Sequence, residues 1–184
     1  IKKSGARYAV ITTKHHDGVA LWDTKESKLN VVASTPAKRD LLAPFYQALK
    51  KNGIKAGAYF SLLDWSHPDY PGFLKDSSRY VLKNQPEKWA RFQSFLTNQL
   101  QEVMHNYRPD LIWFDGDWEH SAQEWDAVGI RKRLLANNPN LIINGRLMGY
   151  GDYETPEQNF PVTRPQFKWW ELCMTTNNNW GYQQ

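Results

Sequence analysis

Short apolar runs alternate along this chain with amphipathic stretches, and this alternation limits the possible folds more than any other feature. The runs are residues 8–12, 55–61, 110–114 and 141–144. Between them, apolar residues recur at helical spacing in residues 41–49, 86–104 and 122–136. Strands that are apolar at nearly every position are typical of a parallel sheet buried on both faces. The pattern therefore predicts an α/β fold with four parallel strands.

Such a sheet either closes into a (β/α)₈ barrel or stays open as a doubly wound sheet. No strand is followed by G-x-G-x-x-G or a phosphate-binding loop, which favours the barrel. The 184 residues fall short of the roughly 250 that a complete barrel needs. We therefore expect part of a TIM-like barrel, with its chemistry at the carboxyl ends of the strands. Those ends carry His15-His16, residues 61–65, Asp115 and residues 144–146.

Composition argues against several classes of function. No apolar run approaches the length of a membrane span. The formal charge of +4 comes from basic residues scattered among acidic ones, without the basic block of a nucleic-acid-binding protein. The single Cys173 has no partner spaced for structural zinc. Aromatic residues make up 14% of the chain, which suits stacking on sugar rings, although ordinary core packing explains aromatic residues as well.

Asp115 is the first candidate for chemistry, because it directly follows an apolar strand and precedes Gly116. An acid is costly to desolvate there, which favours a functional carboxylate, although Asp-Gly is also a common turn. Glycoside hydrolysis needs two carboxyl groups, one to attack the sugar and one to protonate the leaving oxygen. Candidates for the second group lie on loops after the fourth strand: Glu154, Glu157 and Glu171.

The triplet His15-His16-Asp17 raises the question of a metal. Adjacent residues on an extended strand point to opposite sides, and the chain has no third-ligand motif such as H-E-x-x-H. We therefore expect the histidines to bond sugar hydroxyls, and we predict neither a metal nor a cofactor. A serine hydrolase is disfavoured because Ser61 and Ser66 lack a G-x-S-x-G elbow.

Several segments, in order, resemble the α-L-fucosidases of glycoside hydrolase family 29. They are residues 5–10 leading to 14–18 and Trp22, then residues 38–40, 57–61, 113–116, 144–146, 170–175 and 179–182. The resemblance implies a (β/α)₈-like catalytic domain that hydrolyses terminal α-L-fucosides with retention. It also implies that Asp115 is the nucleophile, forming a covalent fucosyl-aspartate intermediate.

The resemblance extends to further site residues. It implies that His15 and His16 hold fucose hydroxyls and that Arg146 lies near the acid/base. Tyr59 matches a pocket tyrosine, although the adjacent Phe60 leaves the register open by one. The acid/base position is the least regular in the family. We assign it to Glu157, with Glu154 as runner-up, and expect Glu171 to bond the sugar or a neighbouring loop. Aromatic walls are expected from Trp22, Trp65, Trp113 and Trp180.

The family comparison also sets expectations for the whole protein. Residues 1–184 are expected to form the central part of a single catalytic barrel, unstable alone because an open half-barrel exposes strand edges. The expected partner is a fucosylated oligosaccharide or glycoconjugate, and the expected location is secreted or periplasmic. Two alternatives stay open: a carbohydrate-binding protein that has lost catalysis, and a retaining glycosidase for another sugar.

Overall fold

The computed structural model describes residues 1–74, 77–165, 168–181 and 183. Its strands are β1 (Tyr8–Lys14), β2 (Lys55–Ser61), β3 (Gly72–Leu74), β4 (Ser77–Ser78), β5 (Leu111–Asp115) and β6 (Ile142–Ile143). Its α-helices are α1 (Val31–Ser34), α2 (Leu42–Lys51), α3 (Pro86–Tyr107), α4 (Ala122–Trp125) and α5 (Ala127–Asn137). Short 3₁₀ helices cover Lys2–Ser4, Leu82–Asn84 and Asp117–Glu119. None of the described helices has the length and apolar character needed to cross a membrane.

The predicted four-stranded parallel sheet is confirmed, with the order β1-β2-β5-β6. Its register places Tyr59 beside Trp113 and Ser61 beside Asp115. A second, antiparallel pair joins β3 to β4. This pair was not predicted, because its strands are too short to show a period of two.

The two faces of the sheet have different roles. Ala58, Phe60, Ile112 and Phe114 are fully buried and belong to the main core, to which the helices also contribute. The alternate residues of β2 and β5 lie on the opposite face, which includes Asp115. Because side chains alternate along each strand, one face of the sheet packs in the main core and the opposite face carries the candidate catalytic residue Asp115.

Helix α3 supplies much of the main core. It begins with Pro86 in its first turn, as predicted, and its predicted stripe is buried: Trp89, Phe92, Leu96, Leu100, Val103 and Met104. The single helix predicted for residues 122–136 is instead two helices. Asp126 adopts a left-handed conformation with φ of 54° and ends α4. Asp tolerates this region better than most side chains, so a helical pattern alone does not reveal the break.

Burial of β1 on both faces was a wrong expectation. Tyr8 is 42% exposed, and Thr12 is exposed as well. β1 lies at one edge of the sheet and pairs only with β2 among the described strands. Its apolar residues therefore face helices on one side and a partly open surface on the other.

Asn144 extends the sheet where β6 has ended. Its buried side-chain amide accepts a hydrogen bond from Phe114 N at 2.8 Å and donates one to Phe114 O at 2.9 Å. Asn144→Ala leaves both backbone groups without these partners, so we expect the free energy of unfolding to fall by about 1 to 3 kcal/mol. Denaturant unfolding measures the change. The exposed Asn140→Ala is the control, and equal effects at the two positions would contradict this role.

Candidate active site

A cleft of about 600 Å³ opens beside the carboxyl ends of β1, β2 and β5. Nine of the residues predicted for the site line it: His15, His16, Tyr59, Trp113, Asp115, Arg146, Glu157, Glu171 and Trp180. They come from three strand ends and from the loops after β6. The convergence at one edge of the sheet follows from the parallel strand order.

Asp115 is held from two sides. The Tyr59 hydroxyl donates to Oδ2 at 2.6 Å, and Arg146 Nη1 donates to Oδ1 at 3.0 Å. The chain turns directly afterwards at Gly116, whose φ is 78°, and a Cβ there would lie 2.6 Å from Leu63 Cγ. The turn and the two donors fix the carboxylate in its orientation at the cleft.

A stack of planar groups forms one wall of the cleft. His15 lies on Tyr59 with ring centroids 5.4 Å apart, and Tyr59 lies on Trp113 at 5.5 Å. The Arg146 guanidinium lies 4.6 Å from the centre of the Trp113 ring. Burial, followed by the charge and hydrogen bond of Asp115, raises the pKa of Tyr59, so its hydroxyl stays a donor to Asp115.

His16 has one ring nitrogen available to a substrate. Ser61 Oγ donates to Leu63 O at 2.6 Å, so it accepts from His16 Nδ1–H at 2.7 Å. The other nitrogen, Nε2, lies 3.7 Å from Asp115 Oδ2. Burial, with the neighbouring His15, lowers the pKa of His16 to about 4. The neutral ring therefore presents an acceptor at Nε2, which suits a sugar hydroxyl.

The lowered pKa of His16 predicts a pH dependence of stability. Folded His16 stays neutral down to about pH 4, whereas an unfolded histidine takes up a proton near pH 6.5. As the pH falls between these values, only the unfolded state binds this proton, so the free energy of unfolding decreases, by about 2 to 3 kcal/mol at most. His16→Gln is expected to flatten this part of the stability profile in urea titrations at each pH.

His105→Gln is the control for that prediction, because His105 is exposed near the end of α3. The other histidines are the same in the wild type and in His16→Gln. Parallel stability profiles for the wild type and His16→Gln from pH 6.5 to 4 would contradict the assigned neutral state.

Two glutamates reach the cleft together with Asp115. Glu157 Oε2 accepts from Arg146 Nη2 at 2.5 Å, and its side chain is 43% exposed. Glu171 is half-buried and accepts from Tyr8 OH at 2.6 Å and from Trp113 Nε1 at 3.1 Å. Glu154, the runner-up for the acid/base, is not among the residues that line this cleft.

Two of the predicted aromatic contacts need correction. Trp22 is completely buried in the main core, and its indole N–H donates to Glu102 at 2.8 Å, so no ring face remains for a sugar. Trp65 is half-buried and lies edge-on to His16 at 5.3 Å, with its indole N–H on Glu119. It does not line the cleft. Its contact with His16 makes it a support for that ring.

The expectation that His15 and His16 point to opposite sides was wrong, because their ring centroids are 4.1 Å apart. Ligand atoms of His15, His16 and Asp115 all lie within 4.8 Å of one another. The two histidines come after the end of β1, where a turn closes from Gly18 N to His15 O, so strand alternation does not apply to them. The Arg146 guanidinium bound to Asp115 still repels a cation. The cluster therefore suits sugar hydroxyls better than a metal ion.

Trp113 lies at the cleft as expected, because it precedes Asp115 by two positions and strand alternation places it on the same face. Two other residues of this region, Ser61 and Trp118, were not predicted for the site. Ser61 lies beside Asp115 in the sheet and holds His16, which the parallel register makes possible. Trp118 lines the cleft edge-on to His16 at 5.5 Å. It is placed by the 3₁₀ helix after Gly116, for which no sequence signal was noted.

The chain is similar to known proteins over its whole length. A family profile described as Alpha-L-fucosidase matches residues 1–184. The alpha-L-fucosidase of Dictyostelium discoideum is 32% identical over 193 residues, covering 100% of this chain and 40% of that protein. Human tissue alpha-L-fucosidase is 33% identical, covering 98% of this chain and 39% of that protein. The chain thus spans about 40% of the length of these curated relatives.

Solved structures give the same result. A family 29 α-L-fucosidase from Bacteroides thetaiotaomicron superposes with a TM-score of 0.85 at 36% identity, covering 100% of this chain and 46% of that one. That protein was trapped as a covalent intermediate with 2-fluoro-fucosyl fluoride, using a mutant with glutamine in place of a glutamate. Alpha-L-fucosidase isoenzyme 1 from Paenibacillus thiaminolyticus has a TM-score of 0.85 at 32% identity, covering 98% of this chain and 48% of that one. The predicted fold, part of a TIM-like barrel, is confirmed by these matches.

Proposed function

The chain belongs to the α-L-fucosidase family, and on that basis we propose that the complete protein releases terminal α-L-fucose from glycans with retention of configuration. The observation that carries the proposal is the carboxylate of Asp115, fixed at a strand end by Tyr59 and Arg146 and open to the cleft. A second carboxylate, that of Glu157, accepts from the same guanidinium. Two carboxyl groups close to one another are the requirement of a retaining glycosidase.

In the first step of the proposed mechanism, ionised Asp115 attacks the anomeric carbon of fucose. The bond from that carbon to the leaving oxygen breaks as Glu157, protonated in the substrate complex, gives its proton to that oxygen. The product is a fucosyl ester of Asp115. Tyr59 and Arg146 hold the carboxylate in line for attack, which removes orientational freedom before the reaction.

In the second step, Glu157 takes a proton from a water molecule, and the water oxygen attacks the anomeric carbon from the side that the leaving group had occupied. The ester bond breaks, Asp115 becomes a carboxylate again, and fucose leaves with its original configuration. Arg146, which contacts both acids, lies where the charge changes at each step. It stabilises whichever of the two carboxylates is ionised.

The cleft also has groups suited to the sugar. His16 Nε2 accepts from a hydroxyl, and the exposed His15 offers a second imidazole. Trp180 is 61% exposed and provides aromatic surface for the C–H face and methyl group of fucose. Trp113 is only 5% exposed, so it supports the wall of the cleft through Tyr59 and Arg146. A bacterial fucosidase solved with an iminocyclitol inhibitor and a Lactobacillus casei alpha-L-fucosidase solved with alpha-L-fucose product support this class of ligand.

The test uses the complete protein with nitrophenyl α-L-fucoside and, as a matched control, nitrophenyl α-D-galactoside. We expect nitrophenol release from the fucoside alone, and proton NMR is expected to show α-L-fucose as the first product. Binding of fucose without turnover would support the inactive carbohydrate-binding alternative. Faster release from the galactoside would support a glycosidase for another sugar, and β-L-fucose as first product would contradict retention.

A further inference from the structure

A buried ion pair lies below the cleft. Lys14 Nζ is 3.2 Å from Asp64 Oδ2, and the two side chains are 0% and 1% exposed. The ammonium group is also 4.8 Å from the ring centre of Phe60 and 5.2 Å from that of Phe95. Neither Lys14 nor Asp64 lines the cleft, so the proposed reaction gives them no direct part.

Such a pair is a poor way to gain stability. Removing two charges from water costs several kcal/mol per ion, and apolar residues of similar volume often fold as well or better. A buried pair that contributes little net stability can still specify a single arrangement of the segments it joins. The segments that Lys14 and Asp64 join therefore indicate what the pair does.

Lys14 connects to the histidine pair. The register of β1 with β2 shifts between Thr12 and Lys14, which places Lys14 beside Phe60 on the helix-facing side. His15 and His16 follow immediately. The orientation of Lys14 thus determines how the chain leaves the strand toward the cleft.

Asp64 organises the turn after β2. Its Oδ1 accepts from Ser66 N at 3.0 Å, Ser66 Oγ at 2.6 Å and His67 N at 3.1 Å, while Oδ2 is left for Lys14. Burial alone would raise the pKa of Asp64, but Lys14 and Ser66 outweigh it and hold this pKa below its usual value. The carboxylate therefore stays charged and keeps all four hydrogen bonds.

The two loops meet directly above this pair. Trp65 N donates to His16 O at 2.9 Å, and the Trp65 ring lies edge-on to the His16 ring at 5.3 Å. Gly18 approaches so closely that an added Cβ would overlap Asp64 and Ser66. His16 is thus held on one side by Ser61 and on the other by a loop that Asp64 shapes.

We propose that Lys14 and Asp64 are positioning residues, whose buried charge pair fixes residues 64–67 against residues 15–18 so that His16 Nε2 meets a sugar hydroxyl. This inference rests on the proposed function. It assigns the pair to substrate recognition through His16, with no contact of its own to the sugar. It predicts that neutralising the pair weakens catalysis while the fold persists.

The test variant is Lys14→Met/Asp64→Asn in the complete protein. Met has a side chain of similar length, and Asn keeps an oxygen for Ser66 and His67 while losing the charge. The matched control, Lys25→Met/Asp23→Asn, makes the same changes at an ion pair whose side chains are 76% and 51% exposed. We expect kcat/KM for nitrophenyl α-L-fucoside to fall about tenfold or more in the test variant and less than about twofold in the control, with unfolding midpoints close to the wild type.

A mutant cycle with His16→Ala separates positioning from simple structural support. Once the imidazole is absent, its placement no longer matters, so the neutral pair should lower kcat/KM by less than about twofold in that background. If the fold-losses in kcat/KM of the neutral-pair variant and of His16→Ala multiply when the two are combined, the proposal is overturned. So would an unchanged kcat/KM in the wild-type background. If the double variant does not fold, Asp64→Asn alone takes its place in the same cycle.

Hydrogen exchange provides a readout that does not need turnover. The Trp65 amide, bonded to His16 O, is expected to exchange about tenfold faster in the neutral-pair variant than in the control. If the wild-type protein has no fucosidase activity, the proposed function is contradicted. The exchange rate of the Trp65 amide then still tests the positioning role of Lys14 and Asp64. Equal Trp65 protection in the two variants would overturn the positioning role.

Discussion

Asp115→Ala in the complete protein is expected to lower kcat for aryl α-L-fucosides by about 10⁴-fold or more. The substitution removes the atom that bonds to the anomeric carbon, and no other acid takes the place of Asp115 as the acceptor of the hydrogen bonds from Tyr59 and Arg146. Steady-state assays with nitrophenyl α-L-fucoside measure the loss. Asp117→Asn is the control, because Asp117 follows on the same loop, where its Oδ2 accepts from Met148 N.

Azide distinguishes a lost nucleophile from a damaged fold. A small anion can enter the space left in Asp115→Ala and attack from the side of the missing carboxylate, which gives β-L-fucosyl azide and restores part of the rate. Retained activity in Asp115→Ala would contradict the assignment. So would a loss of comparable size in Asp117→Asn combined with no azide product from Asp115→Ala.

Glu157→Ala is expected to show the second largest effect, and its size should depend on the leaving group. A fucosylated disaccharide needs its leaving oxygen protonated, so we expect a loss of about 10² to 10⁴-fold with that substrate. A dinitrophenyl leaving group needs little help, so bond cleavage there should be nearly unimpaired and the second step should become limiting. Azide then attacks the fucosyl enzyme from the leaving-group side and gives α-L-fucosyl azide.

Glu171→Ala is the matched comparison for Glu157→Ala, since both acids line the cleft. Glu171 accepts from Tyr8 and Trp113, so its loss is expected to disturb the aromatic wall and to affect good and poor leaving groups equally. Azide should not rescue that variant. A leaving-group dependence and α-L-fucosyl azide from Glu171→Ala, but not from Glu157→Ala, would transfer the acid/base role to Glu171.

Much of the site was predictable because a parallel sheet brings distant residues to one edge. Asp115 is the last residue of its strand, and His15-His16 follow theirs, so their convergence needed only the strand order and the direction of the chain. The hydrogen bond from Tyr59 to Asp115 depends in addition on the register of β2 with β5, which the sequence left open by one residue.

The remainder depended on three-dimensional packing. Trp22 belongs to a motif that resembles the family, yet its ring lies in the main core and its indole N–H donates to Glu102 of α3. The environment of Glu157 is set by Arg146 and by loops without periodic signal. Helix α4 ends at Asp126 through a single left-handed residue. The surroundings of Trp22 and Glu157 are determined by residues distant in the sequence, and the end of α4 is determined by one backbone angle. Local sequence patterns encode neither.

Trapping the fucosyl enzyme tests the identity of the nucleophile most directly. The complete protein is incubated with 2-fluoro-fucosyl fluoride, digested with a protease and sequenced by mass spectrometry. We predict one fucosyl label, carried by Asp115, and no label in Asp115→Ala. A label on Asp117 or Glu119, with Asp115 unmodified, would contradict it.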